Sequence, residues 1–174
     1  MNRRQLLAGI AGVSLTGGSA WVAAQELPAG TALPVQIETM NAHGSDRGTI
    51  SVPIENTVTV IDLFATWCSP CKAQMGGLAS LHDAYGDDLA FISVTNERIG
   101  GTLSRADIRM WWHQNDGHWT LGLDPESELM AMLGAGGLPY IAVADADGTI
   151  TWRHRGVARS DTIRAEIEAA LNET

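Results

Sequence analysis

The spacing of apolar and polar residues changes along the chain, and each change marks an element. The run Val58-Thr59-Val60-Ile61-Asp62-Leu63-Phe64 is short, β-branched and apolar almost throughout, as in a strand covered on both faces. Pro70 then suits a first helical turn, and Met75, Leu78, Leu81 and His82 recur at helical spacing until Gly86-Asp87-Asp88 ends the pattern. Residues 89–94 form a second buried strand, so these three elements predict a right-handed crossover unit. Upstream, residues 35–39 and 49–53 flank a turn around His43-Gly44-Ser45-Asp46 and predict a hairpin. Downstream, Ser104 with Asp107 three positions on predicts a capped helix over 104–114, followed by a short strand at 119–123 and a helix over 126–133. Gly136-Gly137-Leu138-Pro139-Tyr140 breaks into a strand at 141–144, Asp147-Gly148 is a hairpin turn, and residues 149–153 are its return strand. Ser160 opens a last helix to about residue 172. The order describes an α/β protein with a mixed sheet flanked by helices.

The ends and the charge narrow the setting. Arg3-Arg4 precedes an apolar run from Leu6 to Ala24 rich in Gly, Ala and Ser, which reads as a targeting segment outside the fold and resembles a twin-arginine export signal. Small residues before Gln25 favour cleavage, yet the run is near the ~20 residues that a membrane span requires, so an N-terminal anchor is the alternative. Residues 25–32, with Pro28 and Gly30, read as a linker, leaving residues 33–174 as one domain. Asp and Glu number 20 against 11 Lys and Arg, a net charge of -9 that excludes nucleic acid as a partner. Lys72 is the lone lysine, and so acidic and lysine-poor a surface fits a protein kept soluble in strong salt.

Candidate chemistry concentrates in Phe64-Ala65-Thr66-Trp67-Cys68-Ser69-Pro70-Cys71-Lys72, which holds the chain's two cysteines. Outside the cytosol a lone pair of thiols is either a structural bridge or redox chemistry. Three residues apart on a helix, the two sulfurs can reach each other across the first turn. A bridge closing so small a loop stabilises little, which argues against a purely structural role. Cys68 falls at the helix start, whose unpaired N–H groups favour a thiolate, and Cys71 sits one turn deeper as a resolving thiol. A zinc site would need further ligands, and His43, His82, His113, His118 and His154 show no ligand spacing, so no metal is expected.

Trp67-Cys68-Ser69-Pro70-Cys71, placed after a buried strand and opening a helix, resembles the active site of the thioredoxin superfamily. Gly137-Leu138-Pro139 before a strand matches the loop whose cis-proline faces the cysteines, and Asp62, six residues before Cys68, matches the buried acid of thioredoxin. The resemblance covers about residues 33–174 and implies a three-layer thioredoxin-like fold with an N-terminal hairpin and an inserted helix and strand between Thr95 and Asp124. Those additions are most similar to exported thiol-disulfide reductases of the TlpA and ResA type, which implies protein disulfides as substrates, apocytochromes c among them. Such reductases often carry Glu three residues after the second cysteine and Asn six before the first; here Gln74 and Asp62 stand there. A proline common near Gly76 in that group is also missing.

Within this frame Asp62, flanked by Ile61 and Leu63, should lose hydration and have its pKa raised, ready to exchange a proton with Cys71. Leu138 and Pro139 should offer backbone to a substrate strand, and Trp67 should cover the disulfide face. Trp111, Trp112 and Trp119 read as packing. No organic cofactor is implied, a monomer is expected, and recharging the dithiol outside the cytosol requires a membrane electron donor. Two other uses of the same cysteines stay open: a copper-delivery protein with Cys68 and Cys71 as soft ligands, and a disulfide-forming oxidase.

Overall fold

The computed structural model describes residues 34–172. The expected targeting segment (1–24), the expected linker (25–32) and the first residue of the expected domain lie outside the described residues. Among those described, seven strands form one sheet in the order β2-β1-β5-β4-β3-β6-β7. The strands are β1 Val35–Thr39, β2 Gly48–Val52, β3 Thr59–Phe64, β4 Ala90–Thr95, β5 Thr120–Leu123, β6 Tyr140–Ala144 and β7 Ile150–Arg155. Four helices accompany them: α1 Ser69–Tyr85, α2 Arg105–Gln114, α3 Glu128–Met132 and α4 Ser160–Asn172. Strands β3, β4 and β5 are parallel, while β6, β7, β1 and β2 join antiparallel, which is the mixed sheet expected.

The centre of the sheet sets the two cores. Every residue of β3 is buried, and strand alternation sends Val60 and Phe64 to one face and Ile61 and Leu63 to the other. The first face packs under Met75, Leu78 and Leu81 of α1 and Ile163 and Ile167 of α4, in the same layer as Cys68 and Cys71. The second is covered by Leu129 and Leu133 around α3, and Val35, Ile37 and Val52 of the hairpin strands belong to the same apolar cluster. Trp112 and Trp119 are buried, and Trp111 stacks on Phe64 at 4.8 Å between ring centroids, so these indoles pack as expected.

Boundaries differ where side chains take over from periodicity. The third helix begins at Glu128 and not at 126, because the buried carboxylate of Asp124 accepts the N–H groups of Glu128 (2.8 Å) and Met130 (3.2 Å). The β1–β2 turn lies against α2 and the segment before β5: Trp112 Nε1 of α2 donates to the His43 carbonyl at 3.0 Å. Gly44, at φ +73°, comes so close to the His118 carbonyl that a Cβ would collide with it.

Candidate functional site

A disulfide joins Cys68 and Cys71, with Cα atoms 5.2 Å apart. Cys68 is the N-cap of α1, in extended conformation, and its Sγ accepts the Cys71 N–H at 3.2 Å. The Cys68 carbonyl meanwhile accepts from Cys71 and Lys72 at 3.1 and 3.3 Å. Pro70 needs no N–H partner in this first turn, so the sequence Cys-Ser-Pro-Cys opens a helix with the leading sulfur in the place of a capping oxygen. When the bridge is reduced, negative charge on Cys68 Sγ meets that amide and the positive end of a 17-residue helix, both of which stabilise a thiolate.

Asp62 lies on β3 between Val60 and Phe64, on the α1 side of the sheet, and is 3% exposed. Its Oδ2 accepts the Ser93 hydroxyl at 2.8 Å, and Ser93 Oγ in turn accepts Trp119 Nε1 at 2.9 Å. Asp62 Oδ1 is buried with no hydrogen-bond partner. Loss of hydration pushes this carboxyl up to about 7, only partly offset by the Ser93 hydroxyl. Such a group exchanges a proton near neutrality, and the same helix-facing layer holds both cysteines.

Leu138 is half-buried against the core cluster that contains Cys68 and Cys71, and the Leu138–Pro139 peptide is cis. The Pro139 carbonyl accepts the Gly156 N–H at 2.8 Å, which fixes this loop to the end of β7. Trp67 is 75% exposed beside the buried cysteines, a large apolar surface without a place in the core. Gln74, at the position where TlpA- and ResA-type reductases often carry glutamate, is buried. Its Oε1 accepts the Ala158 N–H at 2.7 Å, tying α1 to the loop before α4.

Sequence reasoning missed Glu97. One of its oxygens accepts the Thr66 N–H (2.7 Å) and the Thr95 hydroxyl (3.0 Å), and the other accepts the Thr66 hydroxyl (2.7 Å). The carboxylate thus holds the backbone two residues before Cys68. The register was the available signal: Phe64 pairs with Thr95 across parallel strands, so residues two beyond each, Thr66 and Glu97, emerge side by side.

Together these features define a thioredoxin-like α/β protein with a Cys-x-x-Cys disulfide at a helix N-terminus. The chain belongs to the Redoxin family, whose model matches residues 23–171. It is 22% identical over 118 residues to the thiol:disulfide interchange protein CycY of Rhizobium leguminosarum bv. viciae, an alignment covering 68% of this chain. The chain spans 60% of CycY's length. With sporulation thiol-disulfide oxidoreductase A of Bacillus subtilis it shares 27% identity over 120 residues, covering 68% of this chain and 70% of the relative. The solved structure of StoA from Bacillus subtilis superposes with a TM-score of 0.62 at 20% identity, covering 77% of this chain and 97% of that one. A thiol:disulfide interchange protein described as DsbE from Chlorobium tepidum gives 0.66 at 19%, covering 80% and 94%. These structures agree on the fold. Among the described residues no helix is long and apolar enough to cross a membrane.

Proposed function

We propose that this protein is an exported thiol-disulfide oxidoreductase that reduces disulfides in extracytoplasmic proteins, unfolded apocytochromes c being a substrate class that suits it. The reading rests on one observation: the Cys68–Cys71 bridge caps α1 above a sheet face that buries a carboxyl titrating near neutrality. In the reduced protein the Cys68 thiolate attacks one sulfur of a substrate disulfide and releases the other as a thiolate. Asp62 takes the proton of Cys71, directly or through water, and the Cys71 thiolate then attacks Cys68 Sγ and expels the second substrate sulfur. Two electrons pass to the substrate, whose thiolates take up protons, and the Cys68–Cys71 disulfide is regained. Leu138, Pro139 and Trp67 form the surface on which substrate backbone lies, and a membrane dithiol donor restores the reduced state. Relatives named for thiol-disulfide interchange support the chemistry. The twin arginines, the apolar segment after them and the acidic composition support export into a salt-rich setting.

The test is capture. Cys71→Ser protein, expressed with its N-terminal segment, should accumulate mixed disulfides on Cys68 that vanish when Cys68 is also replaced. The reduced wild type should reduce insulin disulfides at both moderate and high salt. Oxidation of reduced substrates in place of reduction would reverse the direction assigned here. Absence of captured species at either salt would sink the exchange mechanism itself.

A further inference from the structure

At the opposite end of α1, four of the chain's five histidines gather around one surface cavity. The cavity has a volume of ≈ 410 Å³ and is lined by His43, Asp83, His113, Asp116 and His118, among others, with His82 beside it. The ring of His82 lies 4.7 Å from that of His118, and His43 lies 6.1 Å from His118, between centroids. Ligand atoms of His82, Asp83 and His118 lie within 4.8 Å of one another. His82 and Asp83 come from the last turn of α1, His113 from the last turn of α2, Asp116 and His118 from the loop between α2 and β5, and His43 from the β1–β2 turn.

The hydrogen bonds of His118 indicate what this cluster can take. Its Nδ1 is 2.7 Å from the Asp116 carbonyl, which can only accept, so Nδ1 carries hydrogen. The neutral ring then presents the Nε2 lone pair to Asp83 Oδ1, 2.9 Å away, and two lone pairs at that distance repel unless a cation lies between them. A proton can serve, giving a simple ion pair. A metal ion can serve as well, and a carbonyl holding Nδ1–H is the arrangement that aims Nε2 at a metal. His82 brings a third ligand atom within 4.8 Å of the other two. Its ring is braced edge-on by Phe91 at 5.3 Å and tilted against Trp119 at 5.6 Å, so the donor is held in place before any ion arrives.

We propose that His82, Asp83 and His118 form a binding site for a late first-row divalent cation of the Zn²⁺ type, with His43 placed to add a donor by side-chain rotation. Two imidazoles and one carboxylate suit such an ion, and not Mg²⁺ or Ca²⁺, which favour all-oxygen shells. The bound ion staples the end of α1 to the segment leading into β5. From Cys71 to His82 the helix rises about 16 Å at about 1.5 Å per residue, so the site does not share ligands with the thiols.

The experiment uses the full oxidised chain, whose disulfide removes both cysteines as ligands, in excess Mg²⁺ to occupy surface carboxylates. Titration with Zn²⁺, and with Co²⁺ for its visible spectrum, should show one saturable site and a thermal midpoint that rises with Zn²⁺. Asp83→Asn, at an exposed position, and His118→Gln should each weaken Zn²⁺ binding at least about tenfold. A Cys68→Ser/Cys71→Ser double variant should bind as the oxidised wild type does. No saturable Zn²⁺ binding below about millimolar concentration, or binding unchanged in both ligand variants, would overturn the proposal.

Discussion

Replacing Asp62 by Asn keeps the shape of the side chain and its acceptor for the Ser93 hydroxyl while removing the charge. In the folded protein burial holds the carboxyl at about 7 against an ordinary 3.8, so the folded state resists ionisation. The sign follows from linkage: well below pH 3.8 both states are protonated and Asp62 costs nothing electrostatically. As pH rises toward 7 the unfolded chain has released the proton and the folded one has not. Stability is therefore lost across that window and levels off above it. The full penalty is about 4 kcal/mol, because each tenfold change in the ionisation equilibrium is worth about 1.4 kcal/mol. Of this, roughly 1.5 kcal/mol is already present at about pH 5, so the stability gap between Asp62→Asn and wild type should widen by ~2–3 kcal/mol between about pH 5 and about pH 8.

Urea unfolding of both oxidised proteins at fixed salt measures that gap, and groups common to both cancel. Any pH-independent packing effect of the amide shifts the whole curve without changing its slope. Asp62→Asn should also slow resolution of the mixed disulfide by Cys71 near neutral pH, while initial attack by Cys68 stays close to wild type. A gap constant within about 0.5 kcal/mol over this range would show that Asp62 is ionised normally in the folded protein, and the proton-transfer role would fall with it.

Three further substitutions probe how the backbone is held. Glu97→Ala removes the acceptor for Thr66 N–H, Thr66 Oγ1 and Thr95 Oγ1 and should cost about 2–4 kcal/mol. It should also shift the pH profile of Cys68 alkylation in the reduced protein, which a loss of stability alone would not do. Gly44→Ala, at φ +73° and facing the His118 carbonyl, should destabilise by about 2–4 kcal/mol in thermal or urea melts, whereas Gly148→Ala, also at positive φ but with open space where a Cβ would stand, should cost only about 1 kcal/mol.

What the sequence disclosed, and what it hid, divides by how far apart the cooperating residues lie. The β3–α1–β4 unit was legible because its signals are local: a β-branched run, a proline at a helix start, apolar spacing, then a second run. Burial of Asp62 was legible for the same reason, since its neighbours announce a covered strand. Helix α3 starts two residues later than apolar spacing predicts because its start is set by the Asp124 carboxylate, whose hydrogen bonds to Glu128 and Met130 leave no mark on that spacing. Glu97 looks like an ordinary loop acid in the sequence, and only the parallel register of β3 with β4 brings it to Thr66.

The histidines show the limit most clearly. Ligand spacing is a useful sequence signal when ligands share one helix or one hairpin, where backbone geometry alone fixes their separation. His43, His82 and His118 sit on three different segments, and their approach depends on tertiary contacts. The Trp112 indole holds the His43 carbonyl, and Gly44 permits the turn to close on the backbone of His118. The Asp83 carboxylate meets the ring from α1. Irregular spacing along the chain is therefore no argument against a metal site here, because the packing that makes a sheet-and-helix core also assembles the donors.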